Sequence, residues 1–204
     1  MTGELAEALN ETAPRLFYRD ELSALAPLVP PAEVDLQLAE LVESGRVICP
    51  AAGLYFYGRE SRFGVGYPQG IDVAIKIYGE NAGVGWPGAT VANRLHLSTQ
   101  VPMVEMLVVP YLVDILHPRV VLEDRSDRPA RVEAALTFLE VSVLEALDGT
   151  QWWEYETPRG LAKIAELLRG RDTFSTARLR AGATNEPPEA RTLLDELLTL
   201  LGQT

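Results

Sequence analysis

The sequence predicts an α+β protein, and three observations predict it. Within the first 58 residues, three short stretches of helical spacing are followed by two apolar runs joined by a turn. Beyond residue 70, apolar runs of strand character alternate with helical stretches. At the C-terminal end, Glu189–Leu201 carries six leucines at helical spacing.

The elements follow in chain order. Residues 4–12 read as a helix, with Leu5, Ala8 and Leu9 on one face and Pro14 beyond its end. Residues 19–26 read as a second, with Asp20 and Glu21 near its positive N-terminal end. Pro27, Pro30 and Pro31 break the chain and open a third helix, in which Val34, Leu38, Leu41 and Val42 share a face. Gly45 ends it as a left-handed cap. Arg46–Cys49 and Leu54–Tyr57, joined through Pro50-Ala51-Ala52-Gly53, read as a β-hairpin. Three helices and a hairpin in this order are the pattern of a winged helix-turn-helix, placed at residues 1–58.

Residues 59–70 (RESRFGVGYPQG), rich in glycine and proline, read as a linker to a mixed α/β domain over 71–204 with a helical C-terminal tail. Ile71–Tyr78 has helical spacing, and Pro87–His96 reads as a helix opened by proline. Met106–Val109 and Ile115–Leu122 read as buried strands. Val132–Leu147 reads as one long amphipathic helix ending at Gly149. Pro158–Leu168, Thr173–Ala181 and Glu189–Leu201 complete the helices, with a polar loop over 183–188.

A length of 204 residues suits two domains at about 100–150 residues each. Apolar residues at 47% exclude wholesale disorder, and no apolar run is long enough for a spanning helix. The N-terminus lacks the basic and apolar regions of a secretory signal, and the one cysteine, Cys49, excludes an internal disulfide framework. These features point to the cytoplasm. The net charge of −11 repels nucleic acid and anionic membranes on average.

Motifs of site chemistry are few. Gly83-Val84-Gly85-Trp86-Pro87-Gly88 matches a dinucleotide fingerprint, but helical spacing precedes it and no βαβ unit surrounds it, so it reads as a turning loop. His96, His117 and Cys49 lack metal-ligand spacing. Glu123, Asp124 and Asp127 interleave with Arg125, Arg128 and Arg131, which reads as a solvated, self-paired loop or a charged partner surface. Trp152 and Trp153 read as core, or as an interface anchor if exposed. No catalytic residue, metal site or cofactor is expected.

Two segments together resemble the AbiEi-type antitoxins of bacterial type IV toxin–antitoxin systems. Val34–Val47 (VDLQLAELVESGRV) with Gly53-Leu54-Tyr55 is similar to the recognition helix and wing of that family. Pro87–Pro102 (PGATVANRLHLSTQVP) is similar to the G-x-x-A-x-x-x-L-x-L-S-T-Q-x-P stretch of its second domain; the more specific part is Leu97, Ser98, Thr99, Gln100, Val101 and Pro102. The resemblance spans roughly residues 10–150. It implies an N-terminal domain that binds promoter DNA and represses its own operon. It also implies a second domain needed to neutralise a nucleotidyltransferase-like toxin encoded by the adjacent gene, with no stable complex required.

This sequence departs from the family where Glu40 and Glu43 stand, since such helices usually carry Lys or Arg there. Residues 1–62 hold five arginines against ten acids. The residues expected to meet DNA are therefore Gln37, reading adenine, and Arg46, Arg59 and Arg62, reaching phosphates or a minor groove from the wing. Two alternatives stand beside this reading. One is an antitoxin that binds no DNA and contacts a basic toxin with its acidic surface. The other is a DNA-binding regulator without a toxin, whose neighbouring gene would encode no nucleotidyltransferase.

Overall fold

A computed structural model describes residues 4–11, 13–171 and 173–202. Thr12, expected to close the first helix, lies outside them, as do residues 1–3 and 203–204 of the two expected domains. The fold is α+β. The chain gathers into two units, one holding residues up to Lys76 together with Val113–Pro118, the other Ile77–Leu112 and the chain from Arg119 onward.

The first unit runs α1 (Glu4–Glu11), β1 (Arg15–Tyr18), a 3-10 turn leading into α2 (Leu22–Leu25), and α3 (Pro31–Glu43). The antiparallel pair β2 (Val47–Ala51) and β3 (Leu54–Tyr57) follows. Gly45, at φ 71°, ends α3 as expected: its N–H reaches Val42 O at 3.0 Å and the Arg46 N–H reaches Leu41 O at 2.9 Å. Two of the helix's last carbonyls are thereby satisfied by the left-handed turn that glycine adopts without strain. The hairpin turn is tighter than expected, because β2 continues through Ala51 and only Ala52 and Gly53 remain to turn.

Strand β1 escapes the sequence patterns; four residues are too few to show a period. It pairs with β3, giving the sheet order β1-β3-β2. This order of helices and strands is compatible with a winged helix. The core lies between α1, α3 and the sheet, with Leu5, Leu9, Phe17, Leu22, Leu38 and Val47 buried.

The expected linker, 59–70, lies within this first unit. It forms the small hairpin β4 (Glu60–Ser61) and β5 (Gly64–Val65). Its far end is held by His117, whose ring lies edge-on to Tyr67 and whose Nε2–H donates to Pro68 O at 2.9 Å. The division falls instead inside α4 (Gly70–Tyr78).

The second unit contains α5 (Gly88–Arg94), the parallel pair β6 (Glu105–Val109) and β7 (Val120–Asp124), and the helices α6 (Ala130–Glu133), α7 (Phe138–Asp148), α8 (Thr157–Leu168), α9 (Thr176–Gly182) and α10 (Pro188–Gly202). Two expectations need correction here. The strand expected over Ile115–Leu122 begins only at Val120, and Ile115 makes an isolated antiparallel bridge to Ala51.

The single helix expected over Val132–Leu147 is two. The Thr137 Oγ1 accepts the Glu140 N–H at 3.3 Å, and Glu140 Oε2 accepts the Thr137 N–H at 2.9 Å. This reciprocal cap starts a new helix at Phe138. Helix α7 is buried without a break from Glu140 to Leu147, so it is the centre of the unit and has no solvent face. Helices α5 and α10 pack against it, and α8 packs against α10 within the same core. The Gly83–Gly88 stretch is a loop, as expected, and Gly85 pairs with Val108 so closely beneath α7 that a Cβ there would come within 2.7 Å of Val141. Among the described residues, no helix is long and apolar enough to cross a membrane.

Candidate functional site

The residues expected to meet DNA stand in different surroundings. Gln37 is half-buried on α3, and its Oε1 accepts the Leu5 N–H at 3.0 Å. The first turn of any helix carries N–H groups with no partner inside the helix, and Gln37 satisfies one of those of α1. The amide oxygen that reading adenine would use is thus engaged within the fold.

Arg46 is also engaged. Its Nη2 donates to Tyr57 Oη at 2.9 Å, and that hydroxyl donates to Asn10 Oδ1 at 2.7 Å. Arg46 and Arg59 share a cavity of about 330 Å³, but Glu11 and Glu60 line it as well. Arg59 and Arg62 are exposed; Arg62 lies over the Phe63 ring, 4.6 Å from its centre, and does not line the cavity. The solvent side of α3 presents Glu33, Asp35, Glu40 and Glu43 and carries no cation of its own. Asp35 accepts two hydrogen bonds from Arg19 at 2.8 Å, which hold its carboxyl below the usual aspartate range.

In the second unit the segment that carries the family resemblance is a built loop. Leu97 is fully buried and its carbonyl accepts the Glu154 N–H at 2.8 Å. One oxygen of Glu154 in turn accepts the Thr99 N–H at 2.7 Å and the hydroxyls of Thr99 and Ser98, both at 2.9 Å. The Thr99 amide and hydroxyl, followed by the Ser98 hydroxyl, hold the Glu154 carboxyl below its usual range. Ser98 Oγ also accepts the Gln100 N–H at 3.1 Å. Leu97, Ser98 and Thr99 are thus anchored, whereas Gln100 is exposed and Pro102 half-buried. Around Pro102 the apolar side chains face water: Val101 is 79% exposed and Met103 97%.

A cluster that the sequence reading misplaced lies inside the same unit. Arg125, Arg128 and Arg131 do not form a solvated loop; they turn inward. Arg131 is 1% exposed and donates from Nε and Nη2 to Glu186 at 2.6 and 2.8 Å, and from Nη1 to Glu145 at 2.6 Å. Arg125 binds Glu145 through two nitrogens at 2.9 and 3.1 Å, and Arg128 binds Asp148 at 2.8 Å. Burial alone would push the Glu145 carboxyl up; the adjoining Arg125 and Arg131 outweigh it and hold the group below the usual glutamate range. Glu140 is held down in the same way, chiefly by Arg178 against its own burial.

The signal for this cluster was in α7. With Val141, Val143, Leu144 and Leu147 on every side, Glu140 and Glu145 have no solvent face and need cationic partners. A cavity of about 310 Å³ adjoins the cluster, lined among others by Glu123, Arg125, Asp148, Met106 and Trp152. Trp152 is partly exposed beside it, while Trp153 packs against the core. No group of three or more His, Cys, Asp or Glu side chains able to hold a metal occurs among the described residues.

Among solved structures, the chain is similar to the RV2827C protein from Mycobacterium tuberculosis, at 14% identity and a TM-score of 0.49, over 99% of this chain and 78% of that one. No family model and no curated protein matches.

Proposed function

We propose that this protein is an antitoxin that neutralises a nucleotidyltransferase-like toxin encoded beside it. The observation that supports this reading is the division of labour in the segment that resembles the antitoxin motif. Leu97, Ser98 and Thr99 fix the segment to the unit through the core and through Glu154, and the next residues hold Val101 and Met103 in water. Exposing a run of apolar side chains on a rigidly anchored loop is costly for a protein that meets nothing there, and is useful for one that meets a protein. Co-expression with the neighbouring toxin is the test. The wild-type chain restores growth, and Met103→Asp, which places a charge at the tip without touching the core, loses most of that rescue. Absence of rescue by the wild-type chain refutes the antitoxin reading.

Repression of its own operon is a second reading, favoured by the exposed Arg59 and Arg62 following the wing. With α3 acidic, these residues and not the helix would meet phosphates. Titration on promoter DNA at several salt concentrations tests it. Each of Arg59→Ala and Arg62→Ala lowers the log–log salt slope by about 0.9 if it removes one phosphate contact. Slopes unchanged in both variants place DNA elsewhere, and no binding at low salt leaves the antitoxin reading without operon control.

A further inference from the structure

We infer that the groove between α3 and the sheet of the first unit is a docking site for a basic amphipathic segment of a partner protein. The groove, about 410 Å³, has an apolar floor: Leu38, Ala39 and Val42 from α3, Cys49 from β2 and Tyr55 from β3. Its rim is acidic. Glu43 lines one part and Glu40 stands exposed on the same helix. Among the described residues that line the groove the one cation, Arg19, is held bidentately by Asp35 and brings no net charge with it. Helix α3 adds Glu33 and Leu36 to its solvent side, Leu36 being 63% exposed.

These features select the occupant. An apolar floor takes the apolar face of a helix or extended segment, and an acidic rim attracts lysines or arginines flanking that face. Phosphates of DNA and the headgroups of an anionic membrane meet repulsion from the same glutamates. This inference goes beyond the antitoxin reading and does not depend on it, because its measurement is separate from growth rescue.

The protein supplies its own reporter. Cys49 is the single cysteine of the chain and lies in the groove. Burial raises its thiol above the ordinary range, so labelling with a maleimide is followed at mildly alkaline pH. The probe is a synthetic amphipathic peptide with leucines on one face and arginines on the other; its control carries glutamates in place of the arginines. At ten times its dissociation constant, the basic peptide slows Cys49 labelling about tenfold by mass action. Added salt weakens that protection. The acidic control gives none. Glu40→Lys with Glu43→Lys, both exposed positions, reverses the preference. The inference is overturned if the basic peptide leaves the labelling rate unchanged, if the acidic peptide protects equally, or if promoter DNA protects Cys49 instead.

Discussion

Replacing Glu145 by glutamine removes one charge from the buried cluster without changing its shape. Its two carboxylate oxygens accept from Arg125 at 2.9 and 3.1 Å and from Arg131 at 2.6 Å, and Arg128 lies 3.6 Å away. In the variant, one carboxylate oxygen becomes an NH2 that faces guanidinium donors. Arg131, 1% exposed, then keeps Glu186 as its one carboxylate partner among the described residues. Removing one partner of a buried ion pair costs about 3–5 kcal/mol, because the remaining charge stays desolvated. Arg125 retains Glu123 and Arg128 retains Asp148, which places the expected loss near the lower end, about 3 kcal/mol.

For a chain of this size that corresponds to a fall in Tm of about 6–12 °C. Urea unfolding and calorimetry measure it. The pH dependence adds a signature. Glu145 is held below its unfolded pKa, so its contribution is present above about pH 4.3 and is lost as pH falls through the lower folded value. The gap between wild type and variant therefore closes in acid. Glu145→Leu combined with Arg131→Met does not recover the loss, because Glu186, whose side chain is 0% exposed, is then left with Arg128 alone. A loss under about 1 kcal/mol at neutral pH, the range of solvated surface pairs, refutes the assignment of this cluster as a buried centre.

Two further outcomes follow from local geometry. Gln37→Ala strips an acceptor from the first turn of α1 and destabilises the first unit by about 1 kcal/mol, while leaving any affinity for promoter DNA unchanged; a selective loss of DNA affinity would instead support the base-reading role. Glu154→Ala releases the Ser98 and Thr99 donors, so amide exchange at Thr99 accelerates and growth rescue falls with it; protection at Thr99 equal to wild type shows that the loop is held by other contacts.

The sequence by itself determined the elements whose causes are local. Gly45 ends α3, Gly53 turns the hairpin, and the run Met106–Val109 lies within β6, because left-handed turns and apolar runs act over a few residues. The α+β class follows from those elements. The Thr137–Glu140 cap is also local, but apolar spacing continues across it and hides the break between the two helices.

Tertiary structure alone decided the rest. Whether Arg125, Arg128 and Arg131 face water or Glu145 and Glu186 depends on partners up to 58 residues away, and charges adjacent in sequence do not reveal it. Gln37 has its acceptor spent on Leu5, 32 residues distant. Ser98 and Thr99, legible as a motif, acquired a role only when Glu154 was brought beside them. The physical reason is the same throughout. Backbone turns and periodicity are set by neighbours along the chain, whereas the worth of a polar or charged side chain is set by what burial leaves within hydrogen-bonding reach.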